Sequence, residues 1–284
     1  MNKVILIPNP NKDAGLRITS MVAAKLGELN ITVYLDRAFE SFGVYNVLYY
    51  SAMPLDADLI IVVGGDGSVI DASQFAVHYS IPLLGVNLGR VGYLTKLSPD
   101  NLDLLDKLKS KEYQIESKML LTVEKLTDGK QIKCSRLAVN EVVVSHENYL
   151  GISDIMLENE HGDKVKYRSD GIIASTPAGS TAYAFSAGGP VVSHTLDSIT
   201  VTPICPHSFF NRAIVYGPNE RIRITNVGDL PLNISVDGRY FDSIIPSDSC
   251  LIYKSEMSFK MLTFGDGNVF TALSNKINHL NDII

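Results

Sequence analysis

Cysteine is scarce in this sequence, and so is net positive charge. Cys134, Cys205 and Cys250 are the only three cysteines, an odd number, and no two are spaced as a metal knuckle or a redox pair. They read as reduced thiols in a cytoplasmic protein. No apolar run approaches the roughly 20 residues that span a bilayer. The N-terminal stretch MNKVILIPNPNKDAG has one short apolar run, cut off by prolines, and no signal-peptide core. These absences predict a cytoplasmic location and no membrane partner. Lys and Arg number 25 against 31 Asp and Glu, a net charge of −6. That argues against a nucleic-acid surface, which needs a basic field, while leaving room for a local basic pocket around one phosphate ligand. No low-complexity segment occurs, and no repeat defines the architecture. His78, His146, His161, His194 and His279 show no metal-ligand spacing, so no metal held by the protein is expected.

What is present is ordinary globular material. The chain has 284 residues, 45% of them hydrophobic and 20% charged, enough for two domains or one large one. Over the first hundred residues, strand-like and helix-like patterns alternate. Val4 to Pro10 reads as a buried strand ending in a loop, residues 14–29 as a helix with Ile18, Met21, Val22 and Leu26 on one side, and ITVYL as a second strand. Residues 41–56 fit no pattern. Leu59 to Val63 is a continuous apolar strand of the kind buried on both faces of a parallel sheet. Residues 69–79 read as helix and IPLLGVN as the next strand. This rhythm predicts a doubly wound α/β domain.

Near residue 115 the texture changes to short alternating strands with turn signals. LLTVEKL and QIKCSRLAV read as a hairpin around Asp128-Gly129, and ISDIMLE and KVKYR as another around His161-Gly162. IVYG, RIRIT, LNISVDG, CLIYK and MLTF continue the pattern. The expected fold is thus α/β plus all-β. Residues 1–112, with 266–284, form an α/β domain, and residues 113–265 an antiparallel, β-sandwich-like domain. The final stretch NVFTALSNKINHL has helical spacing and is expected to pack back on the first domain.

The stretch DLIIVVGGDGSVIDAS runs a buried strand into glycines and then a helix. Such a junction gathers backbone N–H groups at the positive end of a helix dipole, so Gly64, Gly65 and Gly67 form a candidate phosphate-binding loop. It is neither a Walker A loop nor a G-x-G-x-x-G fingerprint. The bland alternative is a plain junction with Asp66 as a turn residue and Ser68 as N-cap. Beside a phosphate, the Asp66 carboxylate needs a cation or a proton transfer to offset its charge. It can help hold Mg²⁺, or accept the proton of a hydroxyl that attacks a phosphoryl group. Both roles point to a kinase.

A second motif is YRSDGIIASTPAGSTAYAFSAGGPVV, Tyr167 to Val192. Ile172 to Ala174 reads as a strand. Thr176 and Pro177 read as N-cap and first position of a helix running through Ala182, Tyr183 and Phe185 to Gly188-Gly189-Pro190. A capped helix needs one hydroxyl; here Ser175, Thr176, Ser180 and Thr181 crowd its start. Taken alone, Tyr183 is a core aromatic; within the motif it equally suits stacking on a flat ring.

GGDGS, VNEVVVSH, YRSDGIIASTPAGSTAYAFSAGGPVV, TPICPHS and SVDG, in this order, resemble the NAD kinase family. GGDG alone is shared with lipid kinases and phosphofructokinase-like enzymes; the long second motif is specific. The resemblance implies phosphorylation of the 2′-hydroxyl of the adenosine ribose of NAD to give NADP, with ATP as donor accompanied by Mg²⁺ or another divalent cation. It implies Asp66 as proton acceptor. It implies NAD contacts at Gly67, Arg90, Asn140, Glu141, Arg168, Asp170, Thr181, Ala182, Tyr183 and Ser186. It also implies a homodimer or homotetramer. Asn suits adenine edges, carboxylates suit ribose hydroxyls, and arginines suit phosphates. For Arg90 a plain surface-loop arginine is an equal reading, and Asp170 either acts in the site or pairs with Arg168. His207 reads as structural and Asp237-Gly238 as a hairpin turn. Ala178 stands where the family has Thr or Ser, removing one hydroxyl near the expected adenine. A lipid or sugar kinase sharing the GGDG loop is the alternative, but it leaves the second motif unexplained.

Overall fold

The computed structural model describes residues 1–89, 92, 94–127, 130–146 and 151–265, with only the backbone for 131–134. Two compact units emerge. One contains Met1–Lys118 with the segment from Phe259 onward, and the other Met119–Ser258.

The first unit is built on a parallel sheet. Its strands are β1 (Lys3–Pro8), β2 (Thr32–Asp36), β3 (Leu48–Tyr50), β4 (Leu59–Gly64), β5 (Leu83–Asn87) and the short β6 (Thr95–Leu97). The order β3-β2-β1-β4-β5 places the apolar run of β4 at the centre, with Val4 opposite Leu59 and Ile60 opposite Leu83. Every residue of β4 is buried. Leu59, Ile61 and Val63 join the core formed with Val22 and Leu26 of helix α1 (Arg17–Glu28). By strand alternation Ile60 and Val62 face the other side, and both are fully buried. A strand apolar at every position therefore belongs in a sheet covered on both faces. The buried Asp13 carboxylate accepts the N–H groups of Ile18 and Thr19 at 2.9 and 2.8 Å, satisfying donors at the start of α1.

Two differences from the sequence reading occur here. Helix α2 spans Asp66–His78, beginning three residues before the expected residue 69. The unassigned stretch holds β3, preceded by a 3₁₀ segment at Arg37–Phe42.

The second unit is antiparallel throughout its paired strands. One sheet has the order β14 (Ile214–Tyr216), β13 (Ile199–Ile204), β12 (Gly171–Ser175), β9 (Glu141–His146), β16 (Leu232–Val236), β17 (Arg239–Ile244). The hairpin of β10 (Ser153–Glu158) and β11 (Lys164–Ser169) continues into β15 (Arg221–Asn226) and the start of β18 (Ser249–Thr263). β7 (Gln114–Thr127) pairs with β8 (Lys130–Ala138). Val142, Val144, Ile172, Ala174 and Ile234 from the first set meet Ile155, Tyr167, Ile224 and Ile252 from the second in one core. This is the face-to-face arrangement expected of alternating strands.

CLIYK and MLTF, read as two strands, are one strand of 15 residues, because the SEMSFK between them holds no glycine or proline to break it. Met261, near its end, pairs in parallel with Leu83 within the first unit. The expected turn at Asp128-Gly129 and the expected C-terminal helix at NVFTALSNKINHL lie outside the described residues.

Ile61→Ala should destabilise the protein by about 2–5 kcal/mol, because the strand has no freedom to collapse around the cavity. Urea unfolding followed by circular dichroism measures this.

Candidate active site

In the first unit the glycine turn is shaped by close approaches. A Cβ on Gly64 would lie 2.6 Å from Ser68 Oγ and 3.2 Å from Asn9 Cβ, so the end of β4 admits no side chain. Gly65 is the extended residue before the helix, and Asp66 is its first helical residue. The glycines thus lead straight into the helix, and Asp66 joins the first turn instead of a preceding loop. Ser68 is inside the helix. Its hydroxyl accepts from Asn9 Nδ2 at 2.8 Å and is not the N-cap. Gly67 is exposed, with open space where a Cβ would stand.

The Asp66 carboxylate is held in place. Its Oδ1 accepts the N–H groups of Leu94 at 3.1 Å and Thr95 at 3.2 Å. Gly92 is a glycine for the same reason, since a Cβ there would fall 2.2 Å from that oxygen. Burial lowers the Lys96 ammonium, which is countered by Glu116 and more weakly by Asp66. Arg90 lies outside the described residues.

In the second unit, Asn140 and Glu141 open β9 and are held from two sides. The carboxylate of Asp237 accepts three successive N–H groups, from Val139 at 2.8 Å, Asn140 at 2.8 Å and Glu141 at 3.1 Å. Asp237 has φ of 48° and Gly238 of 76°, so the turn joining β16 to β17 is left-handed at both positions. The sequence reading of a hairpin turn holds for Asp237-Gly238, but it missed the second task of the aspartate. From the other side, Thr176 N donates to the Asn140 carbonyl at 2.9 Å and Thr176 Oγ1 to the Val139 carbonyl at 2.7 Å. A Cβ on Gly179 would fall 2.0 Å from the Asn140 oxygen. These contacts fix the backbone of the Asn-Glu pair.

The STPAGSTAY segment is not the single helix expected. Gly179–Thr181 is a 3₁₀ turn, and one α-helical turn follows at Tyr183–Ser186. Ala182 between them has φ −96° and ψ −127°, outside helical space. The hydroxyls explain the break. Thr176 Oγ1 accepts from Gly179 N at 3.0 Å, Ser180 Oγ bonds the Pro177 carbonyl at 2.7 Å and Thr181 Oγ1 the Ala178 carbonyl at 3.2 Å. Local bonds of this kind favour turns over a continuing helix. Ser175 Oγ bonds the Thr200 carbonyl at 3.4 Å, so all four crowded hydroxyls serve the backbone.

The break turns Tyr183 outward; it is 45% exposed and is no core residue. Its amide bonds the Glu141 carboxylate, and its hydroxyl feels Cys205, Asp170 and Glu141, which together with burial raise it. Glu141, Asp170, Tyr183 and Asp237 are thus brought together. Glu141 is 7% exposed, and its Oε2 has no hydrogen-bond partner among the described residues. Burial, then the nearby Asp237, pushes its carboxyl up to about 7. Burial also raises Asp237, against the pull of its three N–H donors.

Arg168 and Asp170 form no ion pair among the described residues; the partner nearest Asp170 is His146 Nε2 at 3.9 Å. Arg168 is exposed and lines a cleft of about 320 Å³ with His146, Ser153 and Asn226. Its backbone is fixed by Ser208 Oγ at 2.7 Å, and its carbonyl accepts from His207 N at 2.7 Å. Thr181 is buried, and Ser186 is exposed. Ligand atoms of Glu160, His161 and Glu220 lie within 4.8 Å of one another, a grouping that spacing alone did not show; it includes none of the expected site residues. Cys205 and Cys250 are unbridged.

In fold the chain is similar to solved kinases of nicotinamide dinucleotides. Yeast NADH kinase complexed with NADH matches with a TM-score of 0.85, at 18% identity, over 98% of this chain and 88% of that one. An NAD kinase from Archaeoglobus fulgidus in complex with ATP matches with a TM-score of 0.73, at 26% identity, over 97% and 98%. Family models for the ATP-NAD kinase N-terminal and C-terminal domains match residues 4–113 and 139–264. NAD kinase of Thermoanaerobacter sp. (strain X514) is 32% identical over 98% of this chain and 99% of its own. That of Nitrosomonas europaea is 35% identical over 92% and 89%. The chain belongs to the NAD kinase family.

Asp237→Ala removes one acceptor for three amides. Hydrogen exchange at Val139, Asn140 and Glu141 should accelerate well beyond the change in the rest of β9, and stability should fall by about 1–3 kcal/mol. Exchange mass spectrometry with a parallel melting curve tests both.

Proposed function

We propose that this protein is an NAD kinase that transfers the terminal phosphoryl group of ATP to the 2′-hydroxyl of the adenosine ribose of NAD, giving NADP and ADP. The observation that carries the reading is the built cluster in the second unit. Asn140 and Glu141 have their backbone locked by Asp237, with Tyr183 turned out beside them. Asn140 suits an adenine edge, Glu141 the ribose hydroxyls, and the exposed Tyr183 ring a flat stacking partner. Ala182 and Ser186 continue this surface and the buried Thr181 closes the turn before them, all three proposed as NAD contacts; Asp170 adds a polar group next to Tyr183, and Arg168 meets a phosphate. Arg90 is proposed as a further NAD contact.

Asp66 supplies the base. As the 2′-oxygen attacks phosphorus, its proton passes to the Asp66 carboxylate, the new O–P bond forms, and the bond to ADP breaks with its electrons on the leaving oxygen. An aspartate is a weak base, but phosphoryl transfer depends more on positioning than on base strength. Two backbone N–H groups give Asp66 that fixed position. Gly64, Gly65, Gly67 and the start of α2 offer backbone N–H groups to the donor phosphates. Mg²⁺ arrives with ATP as part of the substrate and offsets phosphate charge. Ala178 lacks the hydroxyl usual in the family, so one direct contact to adenine is absent or made through water.

We further propose a cytoplasmic homodimer or homotetramer with no nucleic-acid or membrane partner. No described helix is long and apolar enough to cross a membrane. The proposed domain division is 1–112 with 266–284 for the α/β domain and 113–265 for the antiparallel domain. A lipid or sugar kinase gives no account of the Asn140–Glu141–Tyr183 cluster.

Asp66→Asn should retain NAD affinity and lose about 10²–10⁴ in NADP formation with ATP and Mg²⁺; full activity in this variant removes Asp66 from the chemistry. A pH prediction follows from Glu141. Its carboxyl is raised from about 4.5 to about 7, so the folded protein binds the extra proton over that interval. The stabilising contribution is complete below the lower value and is lost as pH rises through the upper one. Glu141→Gln should therefore gain melting temperature relative to the parent at pH 8 compared with pH 6. If the ionised carboxylate accepts the ribose hydroxyls, NAD affinity of the parent rises over the same range, and that of Glu141→Gln stays flat. Calorimetric titrations at the two pH values check this.

A further inference from the structure

The loop after β1, Pro8-Asn9-Pro10-Asn11-Lys12, has no role in the chemistry above, yet it is fastened to the glycine turn. Asn9 N donates to the Val63 carbonyl at 2.8 Å, and Asn9 Nδ2 to Ser68 Oγ at 2.8 Å. The Asn9 side chain also accepts from Asn11 N at 3.1 Å, and its carbonyl accepts from Lys12 N at 3.0 Å. The bonded loop delivers Lys12 to one place. Its Nζ lies 2.8 Å from where a Cβ on Gly65 would stand, directly over the backbone that opens α2. The Lys12 side chain is exposed, and among the described residues it makes no ion pair.

We propose that Lys12 is a donor-binding residue: its ammonium contacts the phosphate chain of the phosphoryl donor as that chain lies on the Gly65–Gly67 backbone. This rests on the kinase reading and deepens it. The ligand chemistry is a chain of phosphates, whether of a nucleoside triphosphate or of inorganic polyphosphate. A point charge on a flexible stem suits it, and it supplies positive charge beside Asp66. Gly65 then has a reason of its own. Its backbone angles, φ −118° and ψ −174°, are open to any residue, so glycine is needed there for room and not for conformation.

The test is calorimetric binding of Mg-ATP and, separately, of polyphosphate, to the parent protein, Lys12→Met, Lys12→Arg and Gly65→Ala, with NAD binding and steady-state kinetics alongside. Lys12→Met should weaken donor binding and raise the donor KM about tenfold or more, with NAD affinity within about twofold and an unchanged melting temperature. Lys12→Arg should recover most of the loss. Gly65→Ala, which folds but displaces the ammonium, should mimic Lys12→Met. A loss confined to one donor identifies that donor as the ligand. Unchanged donor affinity in Lys12→Met, an equal loss for NAD, or a parent that binds neither donor overturns the proposal. A parent that binds ATP through Lys12 but makes no NADP overturns the kinase reading and leaves Lys12 in place.

Discussion

One carboxylate organises the second unit. Asp237 accepts three consecutive amides, and without it Val139, Asn140 and Glu141 would enter β9 with their donors unmet. Buried amides left unpaired cost more than a single hydrogen bond gains, so the turn between β16 and β17 and the start of β9 form together. The direction of Glu141, the closeness of Gly179 to the Asn140 carbonyl and the outward turn of Tyr183 all follow from where that backbone is pinned. The aspartate also sits at positive φ, a position that Asp tolerates better than most residues. One residue thus satisfies a turn geometry and a hydrogen-bonding deficit at once.

The glycine turn in the first unit works by a different constraint, proximity. Gly64 is excluded from carrying a side chain by Ser68 and Asn9, and Gly92 by the Asp66 oxygen. Gly64 needs no left-handed backbone. Close packing of loop against loop brings backbone N–H groups within reach of Asp66 Oδ1, and the same packing carries Lys12 to Gly65. A carboxylate at the positive end of a helix is favourably placed, so Asp66 suits the first turn of α2 before any ligand is considered.

The parallel sheet was legible because β4 is apolar at every position, which only a doubly covered strand requires. The antiparallel unit was legible from period-two alternation, as in the buried-half-buried pattern of β10. Boundaries were not. Helix α2 starts at Asp66, directly after Gly65 and with Gly67 inside its first turn, while the apolar periodicity begins only at Val69. The segment after Pro177 is broken because its hydroxyls bond neighbouring carbonyls, a competition that no apolar spacing reveals. In the proposed site, Asn140 and Glu141 were visible through the resemblance alone, while Tyr183 stood out within its motif as a core or a stacking aromatic. Asp237 and Thr176 act on amides and carbonyls about 97 and 37 residues away, and contacts of that reach leave no mark on local sequence. The one hint was SVDG, an Asp-Gly hairpin in the same ordered set of motifs.

Charge placement joins these features. The chain carries a net charge of −6, and both units concentrate acidic groups where anionic ligands are proposed to bind. Each acid is offset locally. Asp66 and Asp237 are met by backbone N–H groups, which offer partial positive charge without adding a side chain to the site. Glu141 receives one amide, from Tyr183, and keeps Oε2 without a partner among the described residues; burial, then Asp237, pushes its carboxyl up to about 7. The difference is chemical. An oxygen already holding backbone amides is fixed in position, which suits the base role proposed for Asp66. A buried oxygen with no partner is costly until a donor arrives, and a ribose hydroxyl is such a donor. Under the proposed NAD contact, the same unmet oxygen that weakens the free protein would strengthen the complex, which is how a carboxylate contributes to specificity for a hydroxyl-bearing ligand.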